Sequence, residues 1–271
     1  ARRPSLDKPA MLRRDLLPRE RYRMDSIFTT RGCPNHCRFC PVTDIFGGRV
    51  RHRPIDHVVA EVCTLGPHYY NFDDSVFGHP QIVDRPEENQ YYLDLYGELA
   101  RLRPKRHWTG AGGLSAVDYK DGRRILELAA ESGLCSIAAG LESISAQGQK
   151  QSGAWRKLHY MSPGAFDRGR MKQNIRAIQR LGIEVRGFFV IGWDGDTAET
   201  YRRTLDFCGE CDVTPFIFTL TPMPGSQIYR EYREQGDSSQ TADGTNTAPG
   251  RSCTGIPSCP NWRCSTRAAK S

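Results

Sequence analysis

The run Thr29-Thr30-Arg31-Gly32-Cys33-Pro34-Asn35-His36-Cys37-Arg38-Phe39-Cys40 constrains this chain more than any other. It places three thiols at C-x3-C-x2-C spacing in one Gly- and Pro-containing loop, directly after a short apolar segment. Three soft ligands in one loop point to a metal site, and thiolates suit either tetrahedral zinc or an iron–sulfur cluster. A structural zinc closes its shell with a fourth Cys or His at short spacing. The only local candidate, His36, lies between two of the ligands, where the loop can hardly fold it back. A cubane held by three Cys instead leaves one iron open for a small molecule. The count favours an iron–sulfur site at Cys33, Cys37 and Cys40 over zinc.

The same loop resembles that of the radical S-adenosylmethionine (AdoMet, SAM) enzymes, which reads C-x3-C-x-aromatic-C with Phe39 as the aromatic. The continuation from Pro41 to Pro54 is similar to the subgroup that carries a cobalamin-binding domain ahead of the radical domain, and the likeness extends from about Arg13 to Gly236. The resemblance implies a [4Fe–4S] cluster with one iron on each of Cys33, Cys37 and Cys40, and with the fourth chelated by the amino and carboxylate groups of AdoMet. It implies that Phe39 lies against the adenine. It also implies cleavage of AdoMet to a 5′-deoxyadenosyl radical that removes hydrogen from a C–H bond, with cobalamin-linked methyl transfer as one outcome. The rival readings are a non-catalytic thiolate-metal protein and a tRNA-modifying radical enzyme.

Apolar segments alternate in type along the chain. Met24–Thr30, His68–Asp74, Arg106–Gly110, Cys135–Glu142, Val185–Gly192 and Phe216–Thr221 read as strands. Between them, helices are expected from Arg53-Pro54 onward, over Glu87–Leu102, Asp121–Ser132, Asp167–Leu181 and Thr197–Cys208. Strands without polar alternation, each followed by a helix, imply an α/β fold with a parallel sheet covered by helices. Six such units match the partial (β/α)6 barrel that the resemblance implies.

Chemistry in such barrels sits at the carboxyl ends of the strands. That rule nominates Asp73 and Asp74, where the resemblance implies a receiver for the AdoMet amino group, although the family's Gly-Gly-Glu-type run is replaced here by Phe72-Asp73-Asp74-Ser75. It also nominates Glu142 in Gly140-Leu141-Glu142-Ser143, a segment resembling the family's Gly-x-Glu-Ser, as a contact to AdoMet hydroxyl or amino groups. Gly192 would permit close backbone approach to a nucleoside. Cys208 and Cys211 form a C-x-x-C without a second pair and read as packed thiols; Cys63 and Cys135 read as core.

Composition bounds the setting. A chain of 271 residues with 38% apolar content can bury one sizeable core. No run approaches 18 apolar residues and the N-terminus shows no signal region, so a membrane span is not indicated and a cytoplasmic protein is expected. The net charge of +7 could suggest nucleic acid, but +5 falls within residues 1–23 and +2 within 236–271, which leaves a neutral body without the basic face that backbone binding requires.

The expected organisation is therefore a basic, solvated linker over 1–22 and a catalytic domain over 23–236. Residues 237–271 form a tail rich in Ser, Thr, Gly, Pro and Cys that is expected to be disordered and is read as a frameshifted ending. No Asp-x-His-x-x-Gly run occurs, so cobalamin, if used, is expected from another domain or chain. A small-molecule substrate and an electron donor of the flavodoxin or ferredoxin type complete the expected partners.

Overall fold

Six parallel strands form one sheet in the computed structural model, which describes residues 5–7, 12–18, 21–71, 73, 86–119, 121–154, 161–162 and 165–234. The chain begins with β1 (Asp25–Ile27) and β2 (Thr30–Arg31), then passes through α1 (Val42–Phe46) to β3 (Arg51–His52). It continues through α2 (Ile55–Thr64), β4 (His68–Asn71), α3 (Pro86–Arg101), β5 (His107–Ala111), α4 (Gly122–Glu131) and β6 (Leu134–Glu142). A short helix α5 (Ala146–Ser152) and the strands β7 (Met161–Ser162) and β8 (Ala165–Phe166) precede α6 (Arg168–Gln179). The last elements are β9 (Glu184–Ile191), α7 (Ala198–Cys211), β10 (Thr214–Thr219) and α8 (Gln227–Glu234).

Strand order in the sheet is β1-β4-β5-β6-β9-β10, and every neighbouring pair is parallel. The order follows the chain, as successive right-handed βα crossovers dictate. The edges β1 and β10 do not pair with each other, so the sheet is an α/β partial barrel with six strands. One face is sealed by the helices. Ile137, Ala139 and Leu141 of β6 and Val185 and Phe189 of β9 share a buried cluster with Ile125, Leu126 and Ala129 of α4 and Ile175 and Ile178 of α6. Trp108 of β5 joins it, with its indole N–H satisfied by Ser132 Oγ at 3.0 Å. On the other face the ring of Phe188 lies 5.1 Å from that of Phe216 and 5.6 Å from that of Phe218, and Phe216 and Phe218 remain exposed.

Each expected strand is present within a few residues. The first is split: β1 ends at Ile27, and β2 pairs antiparallel with β3, Thr30 opposite His52, which draws the two ends of the cysteine loop together. The segment read as a solvated linker is anchored. Arg14 is buried, donates to Ser26 O at 2.5 Å, and pairs with Glu61 of α2 at 2.6 Å. Arg53 reaches the other oxygen of Glu61 at 2.7 Å and donates to Phe28 O at 2.8 Å. Cys63 and Cys135, read as core, are exposed. Cys208 and Cys211 are buried, as read; burial pushes the Cys208 thiol up to about 11. The expected tail and its cysteines lie outside the described residues, as does Asp74. No helix among the described residues is long and apolar enough to cross a membrane.

Candidate active site

Every residue nominated above that the structure describes lies at or beyond a strand end: Asp73 follows β4, Glu142 ends β6 and Gly192 follows β9 in the parallel sheet, and the cysteine loop leaves β1 by way of β2, which pairs with β3 outside that sheet. In a parallel sheet these ends share one edge, so residues far apart in sequence face a common space.

The cysteine loop is fixed mainly by its own backbone. Gly32 adopts φ +98°, and a Cβ there would stand 2.2 Å from Arg49 O, so only glycine fits. Cys33 N donates to Gly47 O at 3.0 Å, Thr43 Oγ1 donates to Cys33 O at 3.0 Å, and Cys40 N donates to Cys37 O at 3.1 Å. Arg38, between the second and third cysteines, fastens the loop to both neighbours. Its amide donates to Ser152 O at 2.9 Å and its guanidinium to Gln151 O at 2.7 Å at the end of α5. Its carbonyl accepts from Ile228 N at 2.9 Å and its guanidinium pairs with Glu231 of α8.

Cys33 is buried, Cys37 and Cys40 are half-buried, and none is in a disulfide. Among the described residues no three His, Cys, Asp or Glu side chains meet as the ligands of one ion would. Three thiols on one clamped loop, with an aromatic between the last two, are the soft donor set that an iron–sulfur cluster takes.

That aromatic, Phe39, meets Trp193 edge to face, with ring centroids 6.2 Å apart. Trp193 directly follows Gly192, whose φ is +105°. Asp196 Oδ2 accepts from the amides of Gly192 at 2.9 Å and Trp193 at 3.0 Å, which holds this turn. The start of α5, just after β6, touches it, since Gln147 Nε2 donates to Asp194 O at 2.7 Å. Phe39, Gly192 and the β6 end are thus brought into one neighbourhood. Trp193 and Asp196 were not singled out in the sequence, although Trp193-Asp194-Gly195-Asp196 has the Asp and Gly content of a tight turn.

Glu142 is buried and takes φ +59°. The only other described non-glycine at positive φ is Asp212, an ordinary left-handed helix cap. At Glu142 the pairing of β6 with β9 slips, Gly140 facing Phe188 and Glu142 facing Phe189, and Ser143 N donates back to Leu141 O at 2.7 Å. Strain of this kind gathers where function requires a fixed geometry.

Asp73 faces β1 instead. Its carboxylate accepts from Thr29 N at 2.6 Å, Thr30 N at 2.7 Å, Asn71 Nδ2 at 2.8 Å and Thr29 Oγ1. Burial pushes its carboxyl up from the ordinary range, against those hydrogen bonds. It ties the end of β4 to the strand that feeds the cysteine loop. Asp73 also lines a cavity of about 650 Å³ with Ser26, Phe28, Arg31, Phe46 and Tyr70, whereas Phe39, Glu142 and Gly192 belong to the β6–β9 side. The cavity volume is that of a small-molecule site.

The model of the Radical SAM superfamily matches residues 27–208. The chain is 26% identical over 221 residues to cytidylyl-2-hydroxyethylphosphonate methyltransferase of Streptomyces wedmorensis, covering 79% of this chain and 38% of that protein. It is 25% identical over 214 residues to bacteriochlorophyllide d C-12(1)-methyltransferase of Chlorobaculum tepidum, covering 77% of this chain and 42% of that protein. The fold is similar to that of TsrM from Kitasatospora setae, a radical S-adenosylmethionine methyltransferase solved with cobalamin and a [4Fe–4S] cluster bound, with TM-score 0.63, 22% identity, and coverage of 84% and 40%. It is also similar to the cobalamin-dependent S-adenosylmethionine radical enzyme OxsB, with TM-score 0.55, 20% identity, and coverage of 78% and 30%. The chain spans about two fifths of the length of the curated relatives just named.

Proposed function

Because the chain belongs to the radical SAM superfamily, we propose that Cys33, Cys37 and Cys40 hold a [4Fe–4S] cluster used to cleave AdoMet reductively and functionalise a C–H bond of a small-molecule substrate, by methyl transfer or a related reaction. The observation that carries this reading is the three-cysteine loop, clamped at the carboxyl edge of a six-stranded parallel sheet and packed through Phe39 onto Trp193. When bound, cluster and AdoMet supply the electron transfer and the organic radical that attacks an unactivated C–H bond. The three thiolates bind the cluster and leave one iron to the AdoMet amino and carboxylate groups. Phe39 and Trp193 offer apolar ring surface to the adenine, and Gly192 lets the backbone approach the nucleoside. Glu142 accepts hydrogen bonds from AdoMet hydroxyl or ammonium groups. Asp73, whose two oxygens already accept four hydrogen bonds, holds the strand below the loop, and Asp74 beside it in sequence offers a carboxylate for the ammonium.

Residues 23–236 form the catalytic domain and 1–22 the segment that links it to a neighbour. The neighbour supplies cobalamin when methyl transfer requires it, since two similar structures bind that cofactor and this chain lacks the Asp-x-His-x-x-Gly run expected of its binding domain. A flavodoxin- or ferredoxin-type donor supplies the electron, and the setting is cytoplasmic, where thiols stay reduced. The test is spectroscopic. AdoMet added to the anaerobically reconstituted, reduced protein is expected to change the electron paramagnetic resonance spectrum of the cluster, because it takes the open iron. An unchanged spectrum would favour a thiolate-metal protein without AdoMet chemistry.

A further inference from the structure

Gln149 lies on α5 with no exposed surface, one turn below the end of β6. Its amide nitrogen donates to Leu141 O at 2.5 Å and to Ser143 O at 2.6 Å. These carbonyls flank Glu142, so one side chain spans the turn that carries the strained glutamate. The orientation of the amide is dictated by what it faces: turned over, its oxygen would meet two carbonyl oxygens, so only the donor end can point at the turn. Its own oxygen, Oε1, is buried with no protein partner, which costs free energy that a purely packing residue such as Leu would not incur.

The rest of the neighbourhood keeps Gln149 in place. Ser145 caps α5 through Gly148 N at 3.0 Å, and a Cβ at Gly148 would stand 2.4 Å from Ser143 Oγ, so helix and turn meet at contact distance. A non-glycine residue at φ +59° persists only where its surroundings over-determine it. Two charge-free hydrogen bonds to the carbonyls on either side are the means of doing so.

We infer that Gln149 is a positioning residue for AdoMet: it holds Leu141–Ser143 in the conformation that aims Glu142 at the cofactor, without touching the cofactor itself. This rests on the reading of Glu142 as an AdoMet contact. The experiment measures iron per chain, cooperative melting, and AdoMet affinity by titration of the reconstituted cluster's spectrum, in Gln149→Met, Gln149→Glu, Glu142→Gln and the double variant Gln149→Met with Glu142→Gln. Gln149→Met keeps the length of the side chain and removes both donors. It is expected to retain the iron of the unmutated protein and to bind AdoMet about thirtyfold more weakly, the equivalent of two net hydrogen bonds. Gln149→Glu, protonated in this dry setting, regains one donor and is expected to fall between. The double variant should bind no more weakly than Glu142→Gln alone, because Gln149 acts only through that carboxylate.

Equal affinities in Gln149→Met and the unmutated protein, with Glu142→Gln weakened, would overturn the inference and leave the reading of Glu142 intact. Unchanged affinity in Glu142→Gln would remove that reading itself. A Gln149→Met protein that no longer melts cooperatively would also overturn the inference, since Gln149 would then be a folding residue.

Discussion

Replacing Cys33, Cys37 and Cys40 together by Ala is expected to take the anaerobically reconstituted protein from about four irons per chain to near none, with loss of the cluster's visible absorbance. The expectation follows from where the other thiols are. Cys208 and Cys211 sit in the core against α7's neighbours, and burial raises both thiols, which opposes the thiolate form that iron needs. Cys63 and Cys135 are exposed but stand on different elements, α2 and β6. Among the described residues, only the loop after β2 offers three thiols on one short segment, with its backbone already held by Gly47, Thr43 and Arg38. Because the hydrogen bonds that clamp the loop run through the backbone of Cys33, Cys37 and Cys40, which Ala retains, the fold of the triple variant should survive. Unchanged iron in the variant would move the metal to Cys208 and Cys211 or to Cys253, Cys259 and Cys264 in the tail.

The second large effect concerns stability. Glu61→Ala is expected to cost about 3–5 kcal/mol, because it takes the near carboxylate from two buried guanidinium groups at once, leaving Arg53 without it and Arg14 with only Asp25 at 3.6 Å. Both arginines also hold carbonyls around the end of β1, at Ser26 and Phe28, so their displacement would loosen the strand that leads into the cysteine loop. Thermal melting is expected to fall by roughly 6–20 °C for a domain of this size. A fall of about 1 °C or less would mean that water replaces the carboxylate and that the network is not dry. Replacing all three charged residues by apolar ones of similar volume should be milder than removing Glu61 alone, since only the less buried Asp25, 3.6 Å from Arg14, then loses a cation.

These two sites show what a sequence of this kind discloses and what it withholds. The cysteine loop was legible because its three thiols are local, within eight residues, and the strands were legible because buried parallel strands carry apolar runs such as 187–191. Arg14 was not legible. An arginine in a Pro- and Arg-rich stretch reads as solvated, and its partner Glu61 lies 47 residues away, so only the fold brings the pair together. Cys63 follows Val62 on α2 and falls just outside the buried arc of Val58 and Val62, an error of one helical position. Glu142 was nominated by its strand end and by resemblance, but its left-handed backbone contradicts local preference, and the hydrogen bonds on either side of it come from Gln149 of another element. Asp73 was nominated by its place at a strand end, yet its hydrogen bonds to Thr29 and Thr30 come from a strand more than 40 residues earlier.

The most direct measurement is of the reaction product. Cluster-replete protein, given AdoMet and a strong reductant under anaerobic conditions, is expected to release 5′-deoxyadenosine slowly, at a rate that drops to background in the triple cysteine variant. Sustained release from the unmutated protein alone would support the assignment of Cys33, Cys37 and Cys40 as the seat of radical AdoMet chemistry; complete absence of 5′-deoxyadenosine from a sample holding four irons per chain would contradict it.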